Sequence, residues 1–154
     1  LEVLVEQTDT TVRIGPMPCL HADPTQMAQL FQNLISNAIK FRRPDVPPEI
    51  EITSEPVDPT APAFHIPGPG PAFRIMVRDN GIGFDMRHLD RIFGVFQRLH
   101  SREEYEGSGI GLAICRSIVE RHGGTITAIS QPGHGSTFIV ILPLRPADGA
   151  TTRW

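Results

Sequence analysis

The chain has 154 residues, which is the size of one domain. Hydrophobic residues make up 40% of the composition, enough for one core, so a disordered chain is not expected. The formal net charge of −3 gives no reason to expect nucleic-acid binding through bulk charge. No apolar run approaches the roughly 20 residues that span a bilayer, so direct membrane insertion by this chain is not expected.

Cysteine and histidine lack the spacing of a metal site. Cys19 and Cys115 lie far apart with no CxxC pattern, and the six histidines form no HxxxH pair, so a zinc site is not predicted. Two cysteines cannot make a disulfide framework, which favours a reducing cytoplasm. The chain begins without an initiator Met, which suggests a fragment of a longer protein.

The N-terminal part predicts a hairpin followed by a long helix. Residues 2–7 and 11–14 are predicted as short strands with a turn between them. Asp23 is the predicted helix cap, Pro24 fits the first helical position, and Gln26 stands where a capping box has Glu or Gln. The helix is expected to reach Phe41 and to stop before the next proline.

This helix has two different faces. Its apolar face is broad, and beside it runs a narrow polar stripe that contains four amides and a single cation. Surface helices usually carry charges at such positions, so the amides favour ligand coordination over solubility alone. The stripe consists of Gln26, Gln29, Asn33, Asn37 and Lys40.

The remaining elements alternate between strands and helices. Strands are predicted at 49–54 and 73–78, joined by a flexible Pro- and Gly-rich connection at 56–71. Asp85 is expected to cap a short helix that ends near Arg91.

A polar loop is then predicted from residue 94 to residue 109, followed by a helix from Gly109 to His122 that a Gly-Gly pair ends. Two paired strands, 125–130 and 136–142, precede a frayed tail. Hairpin connections are frequent, so a mixed sheet with helices on one face is favoured over a doubly wound fold.

The Asp-Asn-Gly-Ile-Gly segment at 79–83 follows a predicted buried strand. Asp79 could accept a hydrogen bond from an exocyclic amine such as that of adenine. Gly81 and Gly83 would let the backbone approach a flat ring without a Cβ atom in the way. Turns rich in Asp, Asn and Gly are common, so this pattern alone also fits a plain turn.

The Gly-Ser-Gly-Ile-Gly-Leu segment at 107–112 opens a predicted helix, where backbone N–H groups favour anions. A long loop precedes it, which argues against a dinucleotide-binding unit, and there is no P-loop. Taken alone, the segment fits phosphate binding and simple loop flexibility about equally.

Asn33 and Asn37 are four residues apart and share one helix face. An amide oxygen is a hard neutral ligand that suits Mg²⁺, and Lys40 one turn further could meet a phosphate. In isolation, an ordinary surface pair of amides explains the same spacing.

The order of these motifs resembles that of sensor histidine kinases. The segment 33–41 resembles their asparagine box, 79–84 the first glycine box, 93–98 the phenylalanine box, 107–112 the second glycine box, and 133–138 the closing Gly-Ser-Thr strand. The resemblance covers roughly residues 1–144 and leaves 145–154 as a C-terminal tail. The segment 96–105 especially resembles phytochrome-like kinases.

This resemblance implies an α+β fold of the Bergerat type, a two-layer sandwich with a mixed, mostly antiparallel sheet, and it implies ATP with Mg²⁺. Asn37 would be the magnesium ligand and Asp79 would hold the adenine amine. The remaining roles are also carried over from the family. Gly81 and Gly83 would shape the adenine pocket, and Thr137 would assist there. The catalytic groups near the phosphates would be Asn33, Lys40 and Arg98. A mobile, nucleotide-binding lid would contain Gly107, Gly109, Gly111 and Leu112, and its near end would be anchored in the core by Phe93 and Phe96.

The resemblance also separates phosphate transfer from hydrolysis. Members that hydrolyse ATP carry Glu where this chain has Asn33, and an amide cannot take a proton from water. No histidine here has the sequence context of a phosphoacceptor, so the histidines are expected to be ordinary surface or loop residues. The implied partners are a histidine-bearing dimerisation domain of the same protein and a response regulator. A nucleotide-independent interaction module and a superfamily ATPase are the alternatives.

Overall fold

A computed structural model describes residues 2–17, 22–57, 72–94 and 111–143. The strands are β1 (Thr11–Ile14), β2 (Glu49–Val57), β3 (Ala72–Asp79), β4 (Thr125–Ser130) and β5 (Ser136–Pro143). The helices are α1 (Glu2–Gln7), α2 (Pro24–Lys40), α3 (Leu89–Ile92) and α4 (Gly111–Arg121), with a 3₁₀ turn (Met86–His88) before α3.

The five strands form one sheet in the order β1-β2-β3-β5-β4. β1 pairs with β2 in parallel, and the other three pairs are antiparallel. The core lies between one face of this sheet and the helices, because successive strand residues point to opposite faces. The predicted two-layer α+β fold with a mixed sheet is therefore confirmed.

Alternation along the strands separates the two faces of the sheet. Ile75 and Val77 of β3 belong to the core beneath the helices, as do Phe138 and Val140 of β5. A smaller apolar cluster lies on the outer face and contains Val57, Ala72, Ile139 and Ile141, with Met76 packed against it. The same alternation directs Asp79 and Ser136 to the face that carries the helices and Thr137 to the outer face.

The predicted strand at residues 2–7 is wrong, because this segment forms the helix α1. Its Val-Leu-Val sequence has strand propensity, but Leu4 and Val5 both pack against the core, whereas Val3 is 65% exposed. Thr8 closes the last turn, since both its N–H and its hydroxyl donate to the carbonyl of Leu4. Packing of two adjacent apolar residues thus overrides the strand propensity of this segment.

Helix α2 starts as predicted, with one difference at its cap. The carboxylate of Asp23 accepts hydrogen bonds from the N–H groups of Thr25 and Gln26. A capping box would pair the N–H of Asp23 with the Gln26 side chain, but it donates instead to Nε2 of His122, at 3.2 Å.

His122 was expected to be an ordinary surface residue, and it instead joins two helices. Its Nδ1 lies 2.8 Å from the carbonyl oxygen of Ile118 at the end of α4, while its Nε2 accepts from the cap of α2. A carbonyl can only accept and an N–H can only donate, so these two contacts fit the neutral ring with the proton on Nδ1. The C-terminus of α4 is thereby tied to the N-terminus of α2.

The Gly-Gly pair ends α4 as predicted. Gly123 has a φ of +77°, its N–H donates to the carbonyl of Glu120, and the N–H of Gly124 donates to the carbonyl of Val119. These two bonds are those of a Schellman motif, which needs a residue in the left-handed region.

The other elements agree with expectation within one to three residues. β4 has the predicted bounds, β2 and β3 extend further than predicted, and Asp85 caps the 3₁₀ turn through the N–H of Arg87. The predicted connection beyond Val57, the loop from residue 95 and the tail after Pro143 lie outside the described residues. Within the described ranges, no helix is long and apolar enough to cross a membrane.

We expect His122→Ala to lower the free energy of unfolding by about 1 kcal/mol, because it removes the acceptor for the Asp23 N–H. Urea denaturation measures this change. His134→Ala is the matched control, since His134 is exposed in the β4–β5 turn and should change stability by less than about 0.5 kcal/mol. Equal effects of the two substitutions would contradict the helix-joining role.

Candidate nucleotide site

Asp79 is the last residue of β3 and faces the helices beside the first residue of β5. Its Oδ1 accepts hydrogen bonds from the N–H of Gly81 at 2.9 Å and from the N–H of Ser136 at 3.2 Å. No hydrogen bond from the described residues reaches its other oxygen, Oδ2. One oxygen therefore fixes the carboxylate, and the second remains an acceptor for a ligand.

Burial raises the pKa of Asp79, and the two backbone N–H groups of Gly81 and Ser136 offset only part of this rise. A half-buried carboxylate whose desolvation is only partly compensated is unfavourable for folding by itself. Perturbed carboxylates of this kind are concentrated at functional sites. Asp79 is thus chemically suited to accept from a donor group, and its role at the adenine stays a prediction.

Gly81 and Gly83 are required by contacts within the chain. A Cβ atom on Gly81 would lie 2.5 Å from the carbonyl oxygen of Phe41. Gly83 has a φ of +69°, and a Cβ atom there would lie 2.2 Å from the carbonyl oxygen of Gln131. We expected these glycines to make room for a ring, whereas in the described structure neighbouring backbone takes up the space at both.

The end of α2 is bonded directly to the turn that follows Asp79. The carbonyl of Phe41, at the C-cap of α2, accepts a hydrogen bond from the N–H of Ile82 at 2.9 Å. Arg43 donates from Nε to the carbonyl of Asn80 at 2.8 Å. These bonds hold the amide helix and the carboxylate turn at a fixed distance from each other.

Asn80 adds a second set of bonds to the same junction. Its Oδ1 accepts from the N–H of Glu49, at 2.9 Å, and its Nδ2 donates to the carbonyl of Pro47, at 3.2 Å. Asn80 therefore fastens the α2–β2 loop to the turn at 79–83. The sequence motif contained Asn80, but nothing in its pattern indicated partners more than thirty residues away.

Helices α2 and α4 run antiparallel. His122 near the C-terminus of α4 contacts Asp23 at the start of α2, and Cys115 donates its thiol to the carbonyl of Leu30 further along. Asn33 lies one turn beyond Leu30, and its side chain contacts the Cys115 thiol. The two helices therefore advance together, from the capped end of α2 towards the site.

This arrangement brings the first described turn of α4 towards the site end of α2. Asn37 follows Asn33 by one turn, and Gly111 precedes Cys115 by one turn, so antiparallel packing places Gly111 near the level of the Asn33–Asn37 turn. The first N–H groups of a helix and its dipole favour an anion. The predicted metal ligand and a helix start suited to anions are therefore on neighbouring turns of the two helices.

The side-chain amide of Asn33 is buried beside a weak acceptor. Its Nδ2 atom has no nitrogen or oxygen acceptor in the described part of the chain, and its neighbour is the sulfur of Cys115. Burial raises the pKa of Cys115 to about 12, and donation from Asn33 offsets only part of this rise. A buried donor held only by a weak sulfur acceptor is compatible with the predicted position near phosphate oxygens.

Thr137 was predicted to assist at the adenine, but the strand alternation directs it elsewhere. It pairs with Arg78 and shares the outer face of the sheet with Ile139. Ser136 faces the same way as Asp79, and only 9% of its surface is exposed. The geometry therefore favours Ser136 as the polar group beside Asp79, a residue that counting two positions from each core residue of β5 would have found.

Some of the remaining predicted site residues lie in the described part of the chain, and others lie outside it. Lys40 ends α2 next to the junction, and Leu112 packs against the core near the start of α4. Phe93 is buried with its ring edge-on to Phe138 at 6.2 Å between centroids, so it lies in the core, while the lid that it was predicted to anchor lies outside the described residues. Arg98, Gly107, Gly109 and Phe96 lie outside the described residues.

Residues 22–146 match the sequence model of one family, described as histidine kinase-, DNA gyrase B- and HSP90-like ATPases. The chain belongs to this family. It is 42% identical over 144 residues to the phytochrome-like protein Cph1 of Synechocystis, covering 94% of this chain and 18% of that protein. It is 44% identical over 140 residues to cyanobacterial phytochrome A of Nostoc, covering 91% of this chain and 17% of that protein.

Similarity in three dimensions supports the assignment of the fold. The mycobacterial sensor histidine kinase MprB superposes with a TM-score of 0.72 at 24% identity, covering 94% of this chain and 89% of that one. The chain spans less than a fifth of the length of the two phytochrome relatives.

The site fits the nucleotide and the metal that the family resemblance implies. Asp79 offers a half-buried acceptor that could take a hydrogen bond from a base, Asn33 offers a buried amide donor beside a weak sulfur acceptor, and the first described turn of α4 could receive an anion. Among the described residues, no group of three or more His, Cys, Asp or Glu could hold a metal ion. Mg²⁺ needs few protein ligands when phosphate oxygens and water complete its shell, so one amide at Asn37 is compatible with it.

We expect Gly83→Ala to destabilise the fold more than Gly133→Ala does. Both glycines have a positive φ, which costs Ala about 1–2 kcal/mol. Gly133 has open space around its Cβ position, whereas Gly83 adds a collision with the Gln131 backbone, so its loss should exceed the control by about 2 kcal/mol or more. Chemical denaturation of both variants tests this, and equal losses would show that the contact relaxes freely.

Proposed function

We propose that this chain binds Mg-ATP and, within a longer protein, donates the γ-phosphate to a histidine on a separate helical domain in two-component signalling. Family membership supports the nucleotide, and similarity to phytochrome-like proteins supports the signalling role. The observation that carries the proposal is the half-buried carboxylate of Asp79, which has one oxygen fixed by two backbone N–H groups and one unpaired among the described residues.

Each end of the nucleotide has its own set of groups. Asp79 would accept the adenine amine, while Asn37, Asn33 and the start of α4 would receive the metal-bound phosphates. Lys40 and Arg98 would add positive charge there. Hydrogen bonds of Phe41 and Arg43 with the 80–82 turn fix the end of α2 relative to Asp79. The groups for the base and those for the phosphates would therefore keep a fixed separation. Most of the catalysis would then come from positioning and charge neutralisation. Bound Mg²⁺ would supply neutralisation of the phosphate charge.

Transfer is favoured over hydrolysis by the chemistry around Asn33. A neutral amide cannot act as a base towards water. The neighbouring Cys115 cannot do so either, because burial raises its pKa to about 12 and the thiol stays protonated at neutral pH. Slow release of phosphate from ATP is therefore expected of this chain, and rapid steady-state release would favour the ATPase alternative.

The acceptor histidine would come from outside this chain. His122 is occupied by two helix contacts, which makes it unsuitable for phosphorylation in place. A dimerisation domain of the same protein would present its histidine to the γ-phosphate, and a response regulator would then receive the phosphoryl group. Little autophosphorylation is accordingly expected from this chain alone.

We expect Asp79→Asn to weaken Mg-ADP binding by about 10- to 100-fold, because an amide N–H group can replace the acceptor that the adenine amine needs. Isothermal titration calorimetry measures the affinity. Asp90→Asn, which removes an exposed carboxylate on α3, is the control and should leave the affinity unchanged. Unchanged binding by Asp79→Asn would reject the adenine assignment.

Asp79→Asn, which should weaken nucleotide binding, should by contrast raise the stability of the nucleotide-free protein relative to that of the wild type as the pH rises. Burial raises the pKa of Asp79 above its unfolded value, so its contribution to stability is fully present at a pH below the unfolded pKa and is lost as the pH rises through the folded pKa. The free energy of unfolding of the wild type should therefore fall relative to that of Asp79→Asn over this interval. Urea denaturation at a series of pH values tests this, and a constant difference would contradict it.

We expect Asn37→Ala to remove the dependence of ADP affinity on magnesium. The wild type should bind ADP more tightly with Mg²⁺ than with EDTA, whereas the variant should bind equally in both, because the metal loses its protein ligand. Gln29→Ala is the control, an exposed amide on the same helix. A variant that retains the full magnesium effect would show that Asn37 is not the metal ligand.

A further inference from the structure

The hydroxyl of Ser130, at the end of β4, lies among three polar groups. It accepts a hydrogen bond from the N–H of Phe84 at 2.8 Å and donates to the carbonyl of Gly135 at 2.8 Å. The hydroxyl of Ser136 lies 2.9 Å away. Ser130 was absent from the site predicted from the sequence, and none of the roles assigned above uses it.

The number of protons and lone pairs decides which serine donates to the other. A hydroxyl has one proton and two lone pairs. The carbonyl of Gly135 can only accept, so it takes the Ser130 proton, and the N–H of Phe84 takes one lone pair. The remaining lone pair of Ser130 can bond Ser136 only if Ser136 is the donor. The proton of Ser136 therefore points towards Ser130.

Ser136 is consequently left with acceptor capacity alone. It stands next to Asp79, whose Oδ1 accepts the Ser136 N–H at 3.2 Å. No donor from the described residues reaches the remaining lone pairs of the Ser136 hydroxyl. The unpaired carboxylate oxygen of Asp79 and the acceptor hydroxyl of Ser136 thus belong to directly paired residues at the end of the β3–β5 ladder, on the same face of the sheet.

We propose that Ser130 is a specificity-determining positioning residue that holds the Ser136 hydroxyl as an acceptor and so makes the site prefer a 6-aminopurine to a 6-oxopurine. This inference rests on the proposed binding of a purine at Asp79. An exocyclic amine donates to both acceptors, whereas a 6-oxo group is a third acceptor and leaves buried polar groups unpaired. Without Ser130, the Ser136 hydroxyl turns freely and can donate to a 6-oxo group.

Ser130 also supports the local fold, and the test must separate the two roles. Its N–H lies 3.3 Å from the sulfur of Met86, and its hydroxyl holds the N–H of Phe84, so it fastens the 84–86 segment to β4. Loss of that support would weaken all nucleotides alike. A change in the direction of the Ser136 proton changes the ratio between two bases, so the ratio is the quantity to measure.

The experiment measures the dissociation constants of Mg-ADP and of Mg-inosine diphosphate, which differs from ADP in carrying a 6-oxo group and a proton on N1. We expect the wild type to prefer ADP, so that the dissociation constant of Mg-inosine diphosphate divided by that of Mg-ADP exceeds one. Ser130→Ala should lower this ratio by about fivefold to tenfold. Ser130→Thr keeps the hydroxyl, suits a strand position, and should restore the wild-type ratio. Where Ser130→Ala does not fold, Ser130→Cys carries the same test, because a thiol is a weak donor and acceptor.

A double substitution shows whether Ser130 acts through Ser136. Once Ser136→Ala has removed the responding hydroxyl, adding Ser130→Ala should leave unchanged the dissociation constant of Mg-inosine diphosphate divided by that of Mg-ADP. A further fall in the ratio would overturn the inference, as would an equal weakening of both nucleotides by Ser130→Ala alone. A wild type without preference for ADP would instead refute the proposed adenine contact, so the two failures are distinguishable.

Discussion

The half-buried carboxylate of Asp79 is the group on which the rest of the site depends. Its desolvation is unfavourable for the charged form, and two backbone N–H groups, from Gly81 and Ser136, compensate only in part. Both donors are in place because β3 ends in a tight turn and pairs there with β5. The turn thereby fixes the carboxylate in one orientation, which the proposed contact with a base would need.

The backbone contacts around this turn explain why its glycines are needed. Phe41 approaches Gly81 and Gln131 approaches Gly83 so closely that a Cβ atom at either position would collide with a carbonyl oxygen. The glycines therefore bring three parts of the chain together. The junction holds the end of α2 and the Asp79 turn at a fixed separation, which the proposed positioning of a base and a triphosphate would require.

The antiparallel pair of α2 and α4 is fixed more firmly at one end than at the other. At the far end, His122 bonds the cap of α2 and the Schellman motif closes α4. At the site end, Gly111 has open space around its Cβ position, and the buried Nδ2 of Asn33 has only the weak acceptor sulfur of Cys115 beside it. The contacts that join the two helices most firmly therefore lie at the end away from the predicted ligand.

The sequence by itself determined the features whose causes lie within a few residues. These include the Asp23 cap, the glycine end of α4, the bounds of β4 and the order of motifs from which the family and its nucleotide were inferred. It failed at α1, where strand propensity suggested a strand and core packing gave a helix. It also did not give the direction of Thr137, because a glycine-rich motif does not say which residue of the following strand faces the site.

Only the tertiary structure decided the contacts between distant segments. The Asp23 cap meets His122 across 99 positions, Asp79 meets Ser136 across 57, and Phe84 meets Ser130 across 46. Local propensity and periodicity carry no information on such pairs, since each depends on strand register and on the direction in which helices pack. Local motifs therefore indicated the family and the residues of the predicted site. The partners of the hydrogen bonds within it depend on how the tertiary structure brings those motifs together.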